Sequence, residues 1–268
     1  VGEGSCMLLL VAASAGVLVR PRCPSPAACV EPVPDVGYDM RRLILVRHGA
    51  VSRELSDPPV RPGALYGGNY DVPLSLAGEA EAEAAARFIA SQALGDEVRF
   101  ICSSPMSRAL YGAKAVQSAL RSRVIGGLKL ETNELLREID RGAWANRTVA
   151  EVEADPRYGP GAYDRCALED DYGREVAGGE GMADLRDRVL AARDYVLRGT
   201  RPGSASVMVS HMWVTRVLLA DALGAPDVLQ IDVPTASVSV VDYPDGSWPS
   251  SAAHTPAEAR LVGHKPAG

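Results

Sequence analysis

Aromatic residues make up only 5% of the 268-residue chain, and none of its five cysteines forms a CxxC pair. The first scarcity argues against an aromatic-rich sandwich. The second excludes a zinc-ribbon or dithiol redox motif, and an odd, scattered set of thiols does not describe a disulfide framework. Cys6, Cys23, Cys29, Cys102 and Cys166 are therefore read as free thiols, with Cys23 and Cys29 near enough in sequence to bridge in an oxidising compartment. A basic excess is also missing. With a formal net charge of -6 and a pI near 5.3, the chain has no stripe of cations for counterion release, so nucleic acid is not an expected partner and any anion site must be local. The longest apolar run, Leu8 to Val19, falls short of the roughly 18–20 residues that a membrane span needs. It has the character of a targeting-signal core, which leaves the compartment open between cytoplasm and organelle.

What is present is aliphatic: 47% of the residues are apolar, enough for a sizeable core. Residues 1–39 combine that apolar run with a Pro-rich stretch, "RPRCPSPAACVEPVP", and read as an arm or targeting remnant. Residues 40–243 read as one folded domain and 244–268 as a tail, in which "EARLVGH" has the makings of a short last strand. Within the domain, continuous apolar segments alternate with helical ones. "RLILVRH", "VRFICSS", "LKLETN", "ASVMVSH" and "ASVSVVDY" are predicted strands. "SLAGEAEAEAAARFIASQAL", with Ser75 as cap, is a predicted helix. So are "PMSRALYGAKAVQSALRS" (Ser104 as N-cap, Pro105 just inside), "MADLRDRVLAARDYVLRG" (closed by Gly199) and "MWVTRVLLADALG" (closed by Gly224). Strands without polar alternation, separated by helices, imply an α/β fold with a mixed or parallel sheet covered on both faces.

Three of these strands end alike. The first runs into Arg47-His48-Gly49, the second into Ser103-Ser104-Pro105 with Arg108 one turn on, and the third into Ser210-His211. Ligands of open α/β sheets bind at the carboxyl ends of the strands, so Arg47, His48, Arg108 and His211 are expected to converge. The start of the helix bearing Arg108 should add its positive dipole end. A fifth group, Glu138, precedes Gly142 in "LLREIDRGAW", where the backbone is expected to turn and present a carboxylate. Phosphoryl transfer through histidine needs an unprotonated imidazole nitrogen, cations to spread charge on the equatorial oxygens, and a proton for the leaving alcohol. These five residues supply that set. Taken singly each has a plainer reading: a solvated helix charge for Arg108, a surface carboxylate for Glu138, a core histidine for His211. His48, His211 and Glu138 also make a two-histidine, one-carboxylate set of the kind that holds iron, but two adjacent arginines would repel a divalent cation. No metal and no cofactor are expected.

The segments "LVRHGA", "YGGNYDVPLSLAGEAEA", "ICSSPMSRAL", "LLREIDRGAW", "GGEGMADLRDRV" and "VMVSHMWVTRVLL" resemble, in order, those of the histidine phosphatase superfamily, over about residues 42–243. The resemblance implies a phosphoglycerate-mutase-like three-layer sandwich with a mostly parallel central sheet flanked by helices. It implies that His48 is the phosphorylated nucleophile, that Arg47, Arg108 and His211 clamp the phosphate, and that Glu138 is the proton donor. Phosphoglycerate mutases usually carry Ser and Asn soon after Arg-His-Gly and an Arg-His-Tyr-Gly after the acid. Here "RHGAVSRELSDPP" and "REIDRGAWA" lack both, which favours hydrolysis of a small phosphorylated metabolite, of the sugar phosphate kind, over transfer. A mutase is the runner-up, and a phosphatase-like scaffold subunit is the reading from outside enzymology. Met212 stands where Gly often follows the second histidine, and the loop from Val51 to Tyr66 is long and Pro-rich. Arg53, Arg61, Arg141, Arg147, Arg165 and Arg174 lie on loops that are candidates to line the entrance and read a second anionic group. Glu180 in "GGEG" is a candidate supporting residue; His254 and His264 are given no role. A homo-oligomer is left open.

Overall fold

The computed structural model describes residues 35–245 apart from 93, 125, 126 and 226, and the backbone of Glu258–Arg260. The calls on the arm up to residue 34, and on most of the tail, lie outside the described residues. The elements follow in chain order as β1 (Met40–Arg47), α1 (Leu76–Ser91), α2 (Leu94–Glu97), β2 (Val98–Ser103), α3 (Ser107–Leu120), β3 (Lys129–Thr132), α4 (Val149–Glu153), α5 (Ala162–Leu168), α6 (Tyr172–Ala177), α7 (Met182–Gly199), β4 (Ser204–Ser210), α8 (Met212–Leu223), β5 (Val238–Pro244) and β6 (Glu258–Arg260). The sheet runs β3-β2-β4-β1-β5-β6. Its first four strands are parallel, β5 is antiparallel to β1, and β6 pairs antiparallel with β5.

Side chains of β1 alternate between two cores. Leu43 and Leu45 pack with Phe100, Met208 and Val241 against α7 and α8; Ile44 and Val46 pack with Ile101, Val207 and Val240 against α1 and α3. Burial on both faces explains why the strands read as unbroken apolar runs. Each such side chain withdrawn from water contributes roughly 1.5–3 kcal/mol before entropy is set against it. A third, smaller cluster joins Trp144, Val152, Tyr158, Cys166 and Tyr172 and roofs the carboxyl end of the sheet with α4, α5 and α6.

Several boundaries differ from the sequence reading. The first helix is not continuous to residue 94: Gln92 is extended and α2 starts anew at Leu94. Helix α3 begins at Ser107 with Met106 at its N-cap and no side-chain cap, so Ser104 and Pro105 precede the helix. The oxygen of Ser104 is committed elsewhere, as described below. Helix α7 includes Gly199 and is closed by Thr200, whose hydroxyl donates to the Val196 carbonyl at 2.8 Å. Gly224 does close α8, in the left-handed region at φ +61°. Short helices α4 to α6 had no counterpart in the sequence reading. No helix among the described residues is long and apolar enough to cross a membrane.

Candidate active site

The carboxyl ends of β1, β2 and β4 are neighbours in the sheet, and that adjacency assembles the site. His48 leaves β1 with its backbone tied to Ser210 and Ala236 (N–H to Ser210 O 3.0 Å; Ala236 N–H to His48 O 3.0 Å). Gly49 then passes so close to α1 that a Cβ would sit 2.1 Å from the Gly78 carbonyl oxygen, and a Cβ on Gly78 would sit 1.8 Å from that of Ala50. No side chain fits at either position.

The rings of His48 and His211 lie 5.1 Å apart, centroid to centroid, at 63°. His48 Nδ1 is 2.7 Å from the Gly49 carbonyl. A carbonyl only accepts, so Nδ1 carries the proton and Nε2 keeps its lone pair. Burial, followed by the charges of Arg108 and Arg47, pushes His48 well below the usual 6.5; burial and Arg108 act likewise on His211. Both imidazoles are thus neutral at working pH.

Arg108 is fully buried and donates through Nη1 to the Tyr70 carbonyl at 3.0 Å; its nearest carboxylate, on Asp71, is 3.8 Å away. Its Nε and Nη2, Arg47 Nε and His211 Nδ1 are buried with no hydrogen-bond partner. Each such donor costs about 1–3 kcal/mol, more where charged, until an acceptor arrives. Arg47 is held from behind by the Val233 carbonyl. Burial lowers both guanidinium pKa values, yet the groups stay cationic. The helix-dipole expectation needs correcting. The first free N–H of α3, on Ser107, is taken by Asp71 at 2.9 Å, which also accepts from the Ser107 hydroxyl. The helix start that meets the five-residue set is that of α8, where Trp213 N–H donates to Glu138 Oε2 at 3.4 Å.

Glu138 is 8% exposed, and its other oxygen accepts from the Ile139 N–H at 3.0 Å. The loop that carries it is clamped from two sides. Gly67 and Gly68 of "YGGNY" approach so near that added Cβ atoms would stand 2.1 and 2.3 Å from the Ile139 and Glu138 carbonyl oxygens. From α7, Arg188 donates to the carbonyls of Leu135 (2.6 Å), Arg137 (2.8 Å) and Glu138 (3.3 Å) while paired with both oxygens of Glu180. Glu180 thus acts through Arg188, a residue the sequence reading passed over. Its only signal was an arginine eight positions after the Glu of "GGEG", two helical turns along one face. The structure therefore brings together all five predicted residues, Arg47, His48, Arg108, Glu138 and His211. Among the described residues no group of three or more His, Cys, Asp or Glu side chains is arranged to hold a metal ion.

Of the six arginines expected on loops, Arg165 lies in α5 and Arg174 in α6, and four are engaged with carboxylates: Arg61 with Glu151, Arg147 with Asp155, Arg165 with Glu169, and Arg174 with Asp171 and Asp184. Arg53 and Arg141 have no carboxylate partner among the described residues and stack on rings instead. Arg53 lies 4.9 Å from the Tyr66 ring centre, on a ring that Arg108 also approaches at 5.4 Å. Arg141 lies between Tyr163 (5.3 Å) and Trp213 (4.8 Å), with Nη1 on Cys166 Sγ at 3.7 Å.

Known proteins share this arrangement of chain. A family model described as histidine phosphatase superfamily (branch 1) matches residues 43–254. The probable phosphoglycerate mutase GpmB of Yersinia enterocolitica is 28% identical over 218 residues, spanning 79% of this chain and 89% of its own. Among solved structures, a mycobacterial glucosyl-3-phosphoglycerate phosphatase in complex with inorganic phosphate is similar with a TM-score of 0.55 at 25% identity (75% and 89% covered). A phosphoglycerate mutase from Bacillus anthracis is similar in fold with a TM-score of 0.61 at 19% identity (79% and 91% covered). Four residues at or after the carboxyl ends of three parallel strands, a glutamate on the loop after β3, and a family match over most of the domain lead to one conclusion: the chain belongs to the histidine phosphatase superfamily.

Proposed function

We propose that the protein is a phosphomonoesterase that hydrolyses a small phosphorylated metabolite, a sugar phosphate by class, through a phosphohistidine at His48. The observation that carries this is the cluster of three unpartnered buried guanidinium donors, on Arg47 and Arg108, around a histidine whose Nε2 is left as a lone pair. A phosphoryl group offers acceptors to all three, and their fixed positions favour the charge that develops on its oxygens in the transition state.

In the first step the lone pair of His48 Nε2 forms the N–P bond as the ester O–P bond breaks. The carboxyl of Glu138 gives its proton to the departing alkoxide. In the second step a water oxygen bonds to phosphorus, the N–P bond breaks, and the water proton passes to Glu138, which restores the starting state. The backbone N–H groups of Ile139 and Trp213 hold that carboxyl in place. No step is routed through a metal. Arg53, whose guanidinium has no carboxylate and shares the Tyr66 ring with Arg108, is read as the residue that meets a second anionic group on the substrate.

The second reading, a phosphoglycerate-type mutase, is favoured by the name of the 28% identical relative. Assaying 3-phosphoglycerate for isomerisation, with and without 2,3-bisphosphoglycerate, separates the two. The phosphatase reading expects release of inorganic phosphate and no isomerisation. It also expects His48→Ala to lose p-nitrophenyl phosphate hydrolysis while retaining a cooperative unfolding transition; undiminished turnover in that variant ends it. A wild-type protein inert to a broad phosphoester panel but co-purifying in a stable complex would instead support the scaffold reading.

A further inference from the structure

Ser104, the residue that does not cap α3, directly follows β2 and is fully buried, and its Oγ lies 2.8 Å from His211 Nε2. The same oxygen accepts from the backbone N–H of Met106 at 3.4 Å. Among the described residues no other acceptor lies within reach of its proton.

Two tautomers of His211 are to be compared. With the proton on Nε2, the ring would donate to Ser104 and the hydroxyl would be an acceptor twice over. Its own proton would then be buried without an acceptor, and Nδ1 would turn a lone pair toward any phosphoryl oxygen, like against like. With the proton on Nδ1, the serine accepts from Met106 and donates to Nε2, so the hydroxyl and Nε2 are both satisfied. The Nδ1–H then joins the Arg47 and Arg108 donors that lack partners. Only the second arrangement leaves the buried hydroxyl satisfied.

We infer that Ser104 is a positioning residue that holds His211 in its Nδ1–H tautomer and so makes it a neutral hydrogen-bond donor to the phosphoryl group. The two histidines then share a tautomer but present opposite ends. His48, with Nδ1–H turned back to the Gly49 carbonyl, offers a bare Nε2 as nucleophile; His211, with Nε2 turned back to Ser104, offers an N–H. A serine hydroxyl beside one ring and a backbone carbonyl beside the other fix which nitrogen does what, without charging either ring. The part concerning phosphoryl rests on the proposed function; the tautomer itself does not.

The test is ¹⁵N NMR of the full chain labelled at histidine, with His211 assigned by the signals that a His211→Gln sample loses. In the wild type, His211 should show a protonated Nδ1 and a pyridine-like Nε2. In Ser104→Ala that pattern should give way to a mixture or to the Nε2–H form, and kcat should fall by about 10- to 100-fold, the usual effect of losing an outer partner of a working histidine, with KM changing less. Ser104→Thr keeps the hydroxyl and should restore both the spectrum and kcat. An Nε2–H His211 in the wild type overturns the inference, as does a Ser104→Ala protein with unchanged tautomer and rate. The wild-type spectrum decides the matter even where a variant does not fold. Because it is read without turnover, a wild type inactive on phosphoesters would sink the phosphatase reading and leave the tautomer result standing.

Discussion

Strand β1 carries one arginine near its start that is buried and one at its end that is half-buried with an enclosed Nε, and the two live in opposite surroundings. Near the amino end Arg42 is fully enclosed and fully matched: Nε and Nη2 reach the two oxygens of Asp242 at 2.6 and 2.8 Å, and Nη1 reaches Glu97 at 3.0 Å. Burial alone would lower its pKa, but the Asp242 and Glu97 carboxylates raise it above the ordinary value. At the carboxyl end Arg47, with Arg108 beside it, has buried N–H groups facing no acceptor, and burial lowers both. The same side chain is a structural tie at one end and an unmet demand for an anion at the other. Unpaired buried charge is costly, and on the proposed function the missing partner is the phosphoryl group of the substrate.

The contrast can be broken at either end. The largest effect should come from the ligand end: Arg108→Gln should lower kcat/KM toward a phosphomonoester by about 10²–10³, the scale of losing a preorganised donor to developing charge. Its melting temperature should hold or rise, because an unpaired buried cation has been removed; a lower melting temperature with normal kinetics would reverse the assignment of the two ends. Arg42→Met should do the opposite. Steady-state kinetics of the folded fraction should be near normal, while denaturant unfolding shows a loss of about 3–5 kcal/mol, because Asp242 and Glu97 are left buried without their cation.

Saturating orthophosphate or vanadate should sharpen the comparison. It should stabilise the wild type by about 2.7 kcal/mol at a hundred times its Kd, leave Arg108→Gln nearly unmoved, and act on Arg42→Met as on the wild type. Of comparable size is the effect of pH. His48 and His211 are held neutral in the fold, with pKa values well below 6.5, so as pH falls through about 6.5 the unfolded chain takes up protons first. Stability should therefore be fully present above that pH and decline below it, by up to about 1.4 kcal/mol per pH unit per histidine. In His48→Gln the slope measured by thermal melts between pH 6.5 and 5 should be smaller. Least of all, Arg53→Gln should reduce the ratio of kcat/KM for a substrate with a second anionic group over p-nitrophenyl phosphate; an unchanged ratio would remove Arg53 from the entrance.

Much of this was legible in the sequence. Runs such as "RLILVRH" and "ASVMVSH" mark doubly buried strands, and the polar residues that end them stand at the edge where such a sheet binds ligands. Four kinds of feature were not legible. Which N–H of α3 is free depends on Asp71, which lies 36 residues before Ser107, so a dipole argument from the local sequence pointed to the wrong helix start. Ser104 has the composition of an N-cap, but its oxygen is claimed by His211, 107 residues away. Helices α4 to α6 are each seven residues or fewer, too short for periodicity to show, and they are held by packing around Trp144 and Tyr172 rather than by propensity. The glycine pair of "YGGNY" is explained only once the Glu138 loop is seen lying against it.

The central claim, that the carboxyl end of the sheet holds a phosphoryl group covalently on His48, is tested most directly by rapid-quench trapping with a radiolabelled phosphomonoester, followed by peptide mapping. The account predicts an acid-labile, base-stable label on the peptide that contains His48, formed within one turnover and lost in His48→Ala. Turnover by the wild type with no label at any quench time, or with the label on another residue, would contradict it.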